Sequence, residues 1–237
     1  MFEPKFRKVT FKQDHRCFKS GDVIEFRGRT NLIVGLNGSG KSTLLQLIGD
    51  YTSTNVWKSH DHKKAKDIIN IDMDEGCKIK HYDFEKDNKR TLNYFDWDDK
   101  DMDVGHHMHS MWMSHGESAI YAIDAIMSKE YDVYLLDEPD QAASIRVAMA
   151  LSRLFLLYPF EKNIQIIASV HHPFIMQEIG TVYDLKKKEY VEANAFIEEM
   201  RQPGPMSSLD ENRKQEPKTK RKKRARAKPA AKKAVKK

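Results

Sequence analysis

The chain has 237 residues, 40% of them hydrophobic, and a formal net charge of +6. That length suits one α/β domain of ordinary size plus a tail. No run of about 18 apolar residues occurs, which excludes a membrane-spanning helix; the charged start, residues 1–11, lacks the apolar stretch of a secretory signal. Two cysteines, Cys17 and Cys77, make no disulfide framework, so a reduced, cytoplasmic protein is expected. No repeat of 20–50 residues is visible.

In chain order, residues 9–18 and 22–26 predict two strands about a turn at Ser20 and Gly21. Thr30–Val34 is a short apolar run fit for a buried strand. It leads directly into Gly35, Leu36, Asn37, Gly38, Ser39, Gly40, Lys41, Ser42 and Thr43, which satisfy G-x-x-x-x-G-K-[ST] in full. Leu44, Leu45, Leu47 and Ile48 then predict a helix. This pattern is the phosphate-binding P-loop. Gly35, Gly38 and Gly40 let successive backbone N–H groups turn inward. The helix beginning at Lys41 adds its positive N-terminal end. Lys41 is expected to reach the β- and γ-phosphates of ATP, and Ser42 to hold Mg²⁺.

Residues 77–84 predict a further strand, and residues 118–127 a helix with Ile120, Ala122, Ile123 and Ile126 along one side. Residues 133–136 form another buried strand that ends in Asp137, Glu138 and Pro139. Asp137 is placed to hold Mg²⁺ through water, and Glu138 to polarise the attacking water as a general base. Residues 163–170 predict a strand ending in His171, His172 and Pro173. A histidine there could sense the γ-phosphate, but two adjacent ones leave open which.

The order of these motifs resembles the ABC-class P-loop ATPases over about residues 5–185. GLNGSGKST, residues 35–43, is similar to that class's Walker A segment. Ser114, His115, Gly116 and Glu117 resemble its L-S-G-G-Q signature, with Glu117 in place of Gln. Residues 136–139 resemble Walker B and the catalytic Glu, residues 140–144 the D-loop, and residues 170–173 the switch segment. The resemblance makes His171, not His172, the switch histidine. It implies that two copies enclose two ATP molecules head to tail, with Ser114, Gly116 and Glu117 of one copy closing on the γ-phosphate held by the other. A Ser followed three residues later by Glu is also an ordinary helix cap, and both readings can hold together.

The chain departs from the class in several places. Between Gln46 and Gln141 there is no Gln for the loop that usually touches Mg²⁺; Asp83 or Glu85 could stand in. Ser144 occupies the D-loop position where transporters usually carry Asp. The seventy or so residues from Lys41 to Ser114 leave room for a small lid, about residues 85–128, and exclude long coiled-coil arms. Asp96, Asp98, Asp99, Asp101 and Asp103 precede His106, His107, His109 and His115. No Cys is near and the zinc spacing is not formed, so an acidic, solvated lid loop is expected. Trp97, Trp112, Met108, Met111 and Met113 are expected to pack that lid. Tyr51 and Trp57 read as core, and Phe11 or Phe18 as the platform for adenine. The S-x-G-E form, DEP and residues 82–88 resemble compact ABC-like ATPases of bacteria and phages.

The charge is unevenly spread. Residues 203–237 carry 14 Lys and Arg against 3 Asp and Glu, and residues 1–202 carry 27 against 32. The tail has no core-forming content, so it is expected to be disordered. Residues 1–202 are therefore expected to form the ATPase domain. Residues 218–237 are expected to bind nucleic acid without reading its sequence, through counterion release. A solubility tail, a nuclear import signal or an anionic membrane surface are the other readings of such a run. Together these features predict a DNA-associated ATPase working as an ATP-dependent homodimer, with an unidentified protein partner also compatible. The alternatives are a transporter's nucleotide-binding subunit and a P-loop nucleotide kinase.

Overall fold

A computed structural model describes residues 2–53, 59–86, 115–127 and 130–202. Trp57, the lid residues 87–114 with their Asp, His, Met and Trp residues, Ser114 of the signature and the tail 203–237 lie outside the described residues. The chain divides into two compact units, Met1–Glu199 and Met200–Lys237. The first of them holds both sheets and the candidate site.

β1 (Phe6–Phe11), β2 (Val23–Glu25) and β4 (Ile69–Met73) make a three-stranded antiparallel sheet in the order β2-β1-β4. A six-stranded sheet contains β3 (Thr30–Val34), β5 (Ile79–Asp83), β6 (Val133–Asp137), β7 (Gln165–Ser169), β8 (Thr181–Asp184) and β9 (Glu189–Glu192). Its order is β5-β6-β7-β3-β8-β9, parallel except for β9 at the edge. The helices are α1 (Lys41–Thr52), α2 (Ser59–Ile68), α3 (His115–Met127), α4 (Ile145–Glu161), α5 (Pro173–Ile179) and α6 (Ala193–Arg201).

The large sheet separates two cores. Ile33, Val133, Leu135 and Ile167 pack with Leu44, Leu45 and Ile48 of α1 and with Phe6, Val9, Phe11 and Ile24 of the small sheet. Leu32, Val34, Tyr134, Leu136, Ile166 and Ala168 pack on the opposite face against α3, α4, α5 and α6. Alternate residues of each central strand thus serve different cores. Both faces are covered, so the strands are apolar throughout and their period of two is hidden in the sequence.

The first predicted strand needs correction. β1 spans Phe6–Phe11 rather than residues 9–18. Beyond Phe11 the chain folds into a polar loop: Asp14 accepts the Ser20 N–H at 2.9 Å and the Lys19 ammonium at 3.0 Å, and Arg16 has φ +53°. Phe18 returns to the core and stacks on Phe11, with centroids 4.2 Å apart and planes 12° apart. Both rings are almost fully buried, so neither serves as the expected adenine platform. Tyr51 is half-buried and packs against the core, as expected.

Helix α1 passes close to β5 at Gly49. A Cβ there would lie 2.9 Å from Cβ, Cγ and Nδ1 of His81. Gly49→Ala gains roughly 1 kcal/mol of helix propensity but meets an overpacking cost of about 1–3 kcal/mol. Because the clash includes the His81 Cβ, ring rotation alone cannot relieve it. The variant is expected to melt a few degrees lower in thermal unfolding followed by circular dichroism. An unchanged or raised Tm would show that β5 yields at no cost.

Candidate functional site

The carboxyl ends of β3, β6 and β7 meet in register. Asp137 lies opposite Ser169, and Ser169 lies opposite Ile33 on its other side. The chain leaves β3 at Val34 and enters the glycine-rich loop, so the loop faces the ends of β6 and β7. This is where open parallel sheets bind ligands. A cavity of about 620 Å³ opens there, lined by Asn37, Gly38, Gly40, Lys41, Ser42 and Thr43 from the loop and α1. Glu138, Asp140, Gln141, Ala142 and His171 line the facing wall, and Arg16 and Cys17 a third side. Gly35 and Ser39 belong to the same loop but not to the cavity lining, and an added Cβ at Gly35 would lie 2.7 Å from Ser39 Oγ.

Gly40 shows why the loop needs glycine. Its φ is +102°, and an added Cβ would lie 2.3 Å from Cys17 Sγ and 3.0 Å from the Phe18 ring. Cys17 in turn donates to the Ser39 carbonyl at 3.2 Å. The polar loop after β1 therefore buttresses the phosphate loop.

Lys41 is nearly buried, and Nζ donates to the carbonyls of Gly35 at 3.0 Å and Leu36 at 3.4 Å. Burial lowers its pKa, while the carboxylates of Glu138, Asp137 and Asp140 act in the opposite sense. Ser42 Oγ lies 3.2 Å from Asp137 Oδ1, and Ser169 Oγ donates to that same oxygen at 2.6 Å. The Ser42 hydroxyl and the Asp137 carboxylate are hard oxygen groups facing each other from two elements, a donor set that fits Mg²⁺.

Glu138 has φ +53°, an uncommon conformation for a residue with a Cβ. Its N–H is fixed by Ser169 Oγ at 2.9 Å, and its Oε1 lies 3.1 Å from His171 Nε2. Arg16 and Ala142 share this left-handed conformation and also line the cavity. Strain of roughly 1–2 kcal/mol per residue thus gathers around one site.

The two histidines separate by geometry. His172 caps α5, its Nδ1 accepting the Phe174 N–H at 3.2 Å, and only His171 faces Glu138. Ser144 is likewise a cap, its Oγ accepting the Val147 N–H of α4 at 3.4 Å. Asp83 ends β5 beside Asp137. Burial would raise its pKa, but the Lys86 ammonium at 2.5 Å and the backbone N–H groups of Lys86 and Glu85 bring it below the usual value. Gly116 and Glu117 stand in the first turn of α3; their side chains, like Ser114, are outside what is described.

Three residues at the site escaped sequence reasoning. Ser169 is fully buried and links Asp137 to the Glu138 backbone; a lone hydroxyl ending the apolar run Ile166, Ile167, Ala168 was its only signal. Arg16 donates to Thr43 Oγ1 at 2.9 Å and could be found only by folding the loop. Asp140 carried no signal beyond its place after Pro139, at the start of the D-loop resemblance.

A glycine-cradled lysine, a hydroxyl beside a strand-end carboxylate, and a second carboxylate paired with histidine define a P-loop nucleotide hydrolase. Residues 25–141 match the family model described as ABC transporter. The chain is similar to cbiO1 of Clostridium perfringens, part of the ABC transporter complex cbiONQ. The identity is 16%, with 87% of this chain and 99% of that chain covered, at TM-score 0.51. The SMC head domain of Thermotoga maritima is similar at 16% identity, over 76% of this chain and 94% of that one, at TM-score 0.52. An ATP-binding cassette of an ABC transporter matches at 15% identity over 80% and 90%, at TM-score 0.51. No curated protein matches the chain. At these identities the structural likenesses speak for the fold. Residues 25–141 thus carry an ABC-class P-loop ATPase domain, of a class that binds ATP with Mg²⁺ and hydrolyses it. Among the described residues no helix is long and apolar enough to cross a membrane, and no group of three or more His, Cys, Asp or Glu side chains is gathered to hold a metal ion.

Proposed function

We propose that the protein is a nucleic-acid-associated ABC-class ATPase that closes head to tail as a homodimer on ATP and opens after hydrolysis. The observation that carries the hydrolytic part is the Glu138–His171 pair, 3.1 Å apart across the cavity from Lys41 and Ser42. Lys41 and the backbone N–H groups of residues 37–43 bind the triphosphate. Ser42 and Asp137 would hold Mg²⁺, which when bound would supply charge neutralisation on the phosphate oxygens. Glu138 orients and deprotonates the attacking water. His171 donates toward the γ-phosphate and steadies Glu138. Ser114, Gly116 and Glu117, where α3 begins, supply the surface that closes on the partner copy's nucleotide.

The contrast between the net-negative residues 1–202 and the basic residues 203–237 supports the nucleic-acid part. Removing residues 203–237 should leave folding and basal ATPase intact and strongly weaken DNA binding. Binding by the full chain should be insensitive to DNA sequence, and its log Kd should change with log[salt] with a slope of several units. Titration of both forms by fluorescence anisotropy at two salt concentrations tests this. Tight binding by the truncated protein, or full-length binding without salt dependence, would remove the tail from the function.

A second reading, the nucleotide-binding subunit of a transporter, is favoured by the description of the matching family model. The absence of Gln between Gln46 and Gln141, the short lid and the basic tail weigh against it. Co-purification with a specific membrane protein would reverse the order. A nucleotide kinase is disfavoured by the signature and switch residues. The whole assignment resembles the compact ABC-like ATPases of bacteria and phages more than either alternative.

A further inference from the structure

Asp140, the residue after the Asp137-Glu138-Pro139 turn, sits in an unusual position. It is 5% exposed, yet it is a carboxylate. Its Oδ2 accepts two backbone N–H groups at once, from His171 at 2.6 Å and from His172 at 2.5 Å. Its Oδ1 is buried and has no hydrogen-bond partner among the described residues. Two backbone N–H groups converging on one ionised oxygen form short, charge-assisted bonds. A buried oxygen left without a donor is costly and calls for an explanation.

The location supplies one. Asp140 begins the turn that carries Gln141, Ala142 and Ala143 past the cavity: Gln141 donates its N–H to the Glu138 carbonyl at 3.1 Å, and Ala143 its N–H to the Asp140 carbonyl at 3.0 Å. Its side chain then crosses from the end of β6 to the segment after β7. One carboxylate therefore ties the turn that positions Glu138 to the backbone that positions His171. Among the described residues, the hydrogen bonds of this side chain go only to the switch backbone. We infer that Asp140 is a positioning residue for hydrolysis: it sets the His171 backbone so that the imidazole meets Glu138, and it makes the placement of that histidine depend on the conformation of residues 140–144.

Asp140 contributes no group to the reaction in this scheme. It also adds negative charge to a cavity meant for phosphates, so removing it should not weaken ATP binding. The expected signature is a split between binding and turnover. The inference rests on the reading of His171 as a group that acts in hydrolysis, so the experiment includes His171→Ala.

Steady-state ATPase kinetics and ATP affinity by calorimetry are measured for the full-length wild type, D140A, H171A, the double variant and D140N. We expect D140A to lower kcat on the order of 10²-fold, the scale of a 1 Å misplacement of a reacting group, with ATP affinity unchanged or tighter. H171A should fall by a similar factor, and the double variant no further than H171A alone, because both changes remove the same interaction. D140N keeps an acceptor oxygen for the two N–H groups and is expected to recover about tenfold of the D140A loss, since neutral hydrogen bonds are about half as strong as charged ones. Should D140A not fold, D140S takes its place; the serine hydroxyl is too short to reach both donors. A wild-type kcat in H171A would sink the role of His171, and this inference with it. A slow H171A beside a fast D140A would overturn the inference alone, as would losses that multiply in the double variant.

Discussion

Glu138→Gln is expected to bind ATP as the wild type does and to hydrolyse it about 10²- to 10⁴-fold more slowly, the usual contribution of a positioned general base. The substitution replaces one oxygen with an NH₂ group of nearly the same size. The backbone conformation at φ +53° and the Glu138 N–H bond to Ser169 Oγ do not depend on the carboxylate. The contact with His171 Nε2 at 3.1 Å can persist through the amide. Only the ability to take a proton from water is lost. With hydrolysis stopped, the ATP-bound state accumulates. Light scattering should then show a monomer without nucleotide and a dimer with ATP and Mg²⁺, and Ser114→Arg should block the dimer. Turnover at the wild-type rate would remove Glu138 as the base. A single unchanged mass in every state would reject the head-to-tail dimer.

Lys41→Ala is expected to weaken ATP binding on the order of 10²- to 10³-fold, the effect of truncating one partner of a buried, hydrogen-bonded charge pair. Two effects add. The triphosphate loses the ammonium that now rests on the carbonyls of Gly35 and Leu36. The carboxylates of Asp137, Glu138 and Asp140 also lose a cation whose charge they favour, so the emptied site repels phosphate. Burial of Lys41 already opposes its charge. The free protein therefore loses little stability with the ammonium, and the change should appear in binding rather than in folding. Calorimetric titration with ATP and Mg²⁺ measures it, and unchanged affinity would sink the phosphate-site assignment.

What could be read from the sequence was local. Residues 35–43 announce themselves because the chemistry of cradling phosphate demands glycines, a lysine and a hydroxyl at fixed spacing along one stretch of chain. Asp137 and Glu138 were legible because an apolar run of strand length ends at them. The buried strands Thr30–Val34, Val133–Asp137 and Gln165–Ser169 could be seen from their unbroken hydrophobicity, which arises because both faces of the sheet are covered. β1 was misplaced because residues 12–18 mix Phe18 and Cys17 with polar residues, and only the return of Phe18 onto Phe11 shows the intervening loop. α2, β4, α4, α5, β8, β9 and α6 carried no motif and were not anticipated.

The sequence by itself determined that ATP is bound and which loop binds it, since those groups come from consecutive residues and need only the local backbone to meet. The tertiary structure decided which histidine faces Glu138, that Ser169 joins the two acidic residues, that Arg16 and Cys17 border the phosphate loop, and that Asp140 holds the switch backbone. Each of these depends on strand register and crossover connections between residues 27 to 33 positions apart or, for Cys17, on the close approach at Gly40. Such meetings are set by how the two cores pack on either face of the sheet, and no spacing along the chain encodes them.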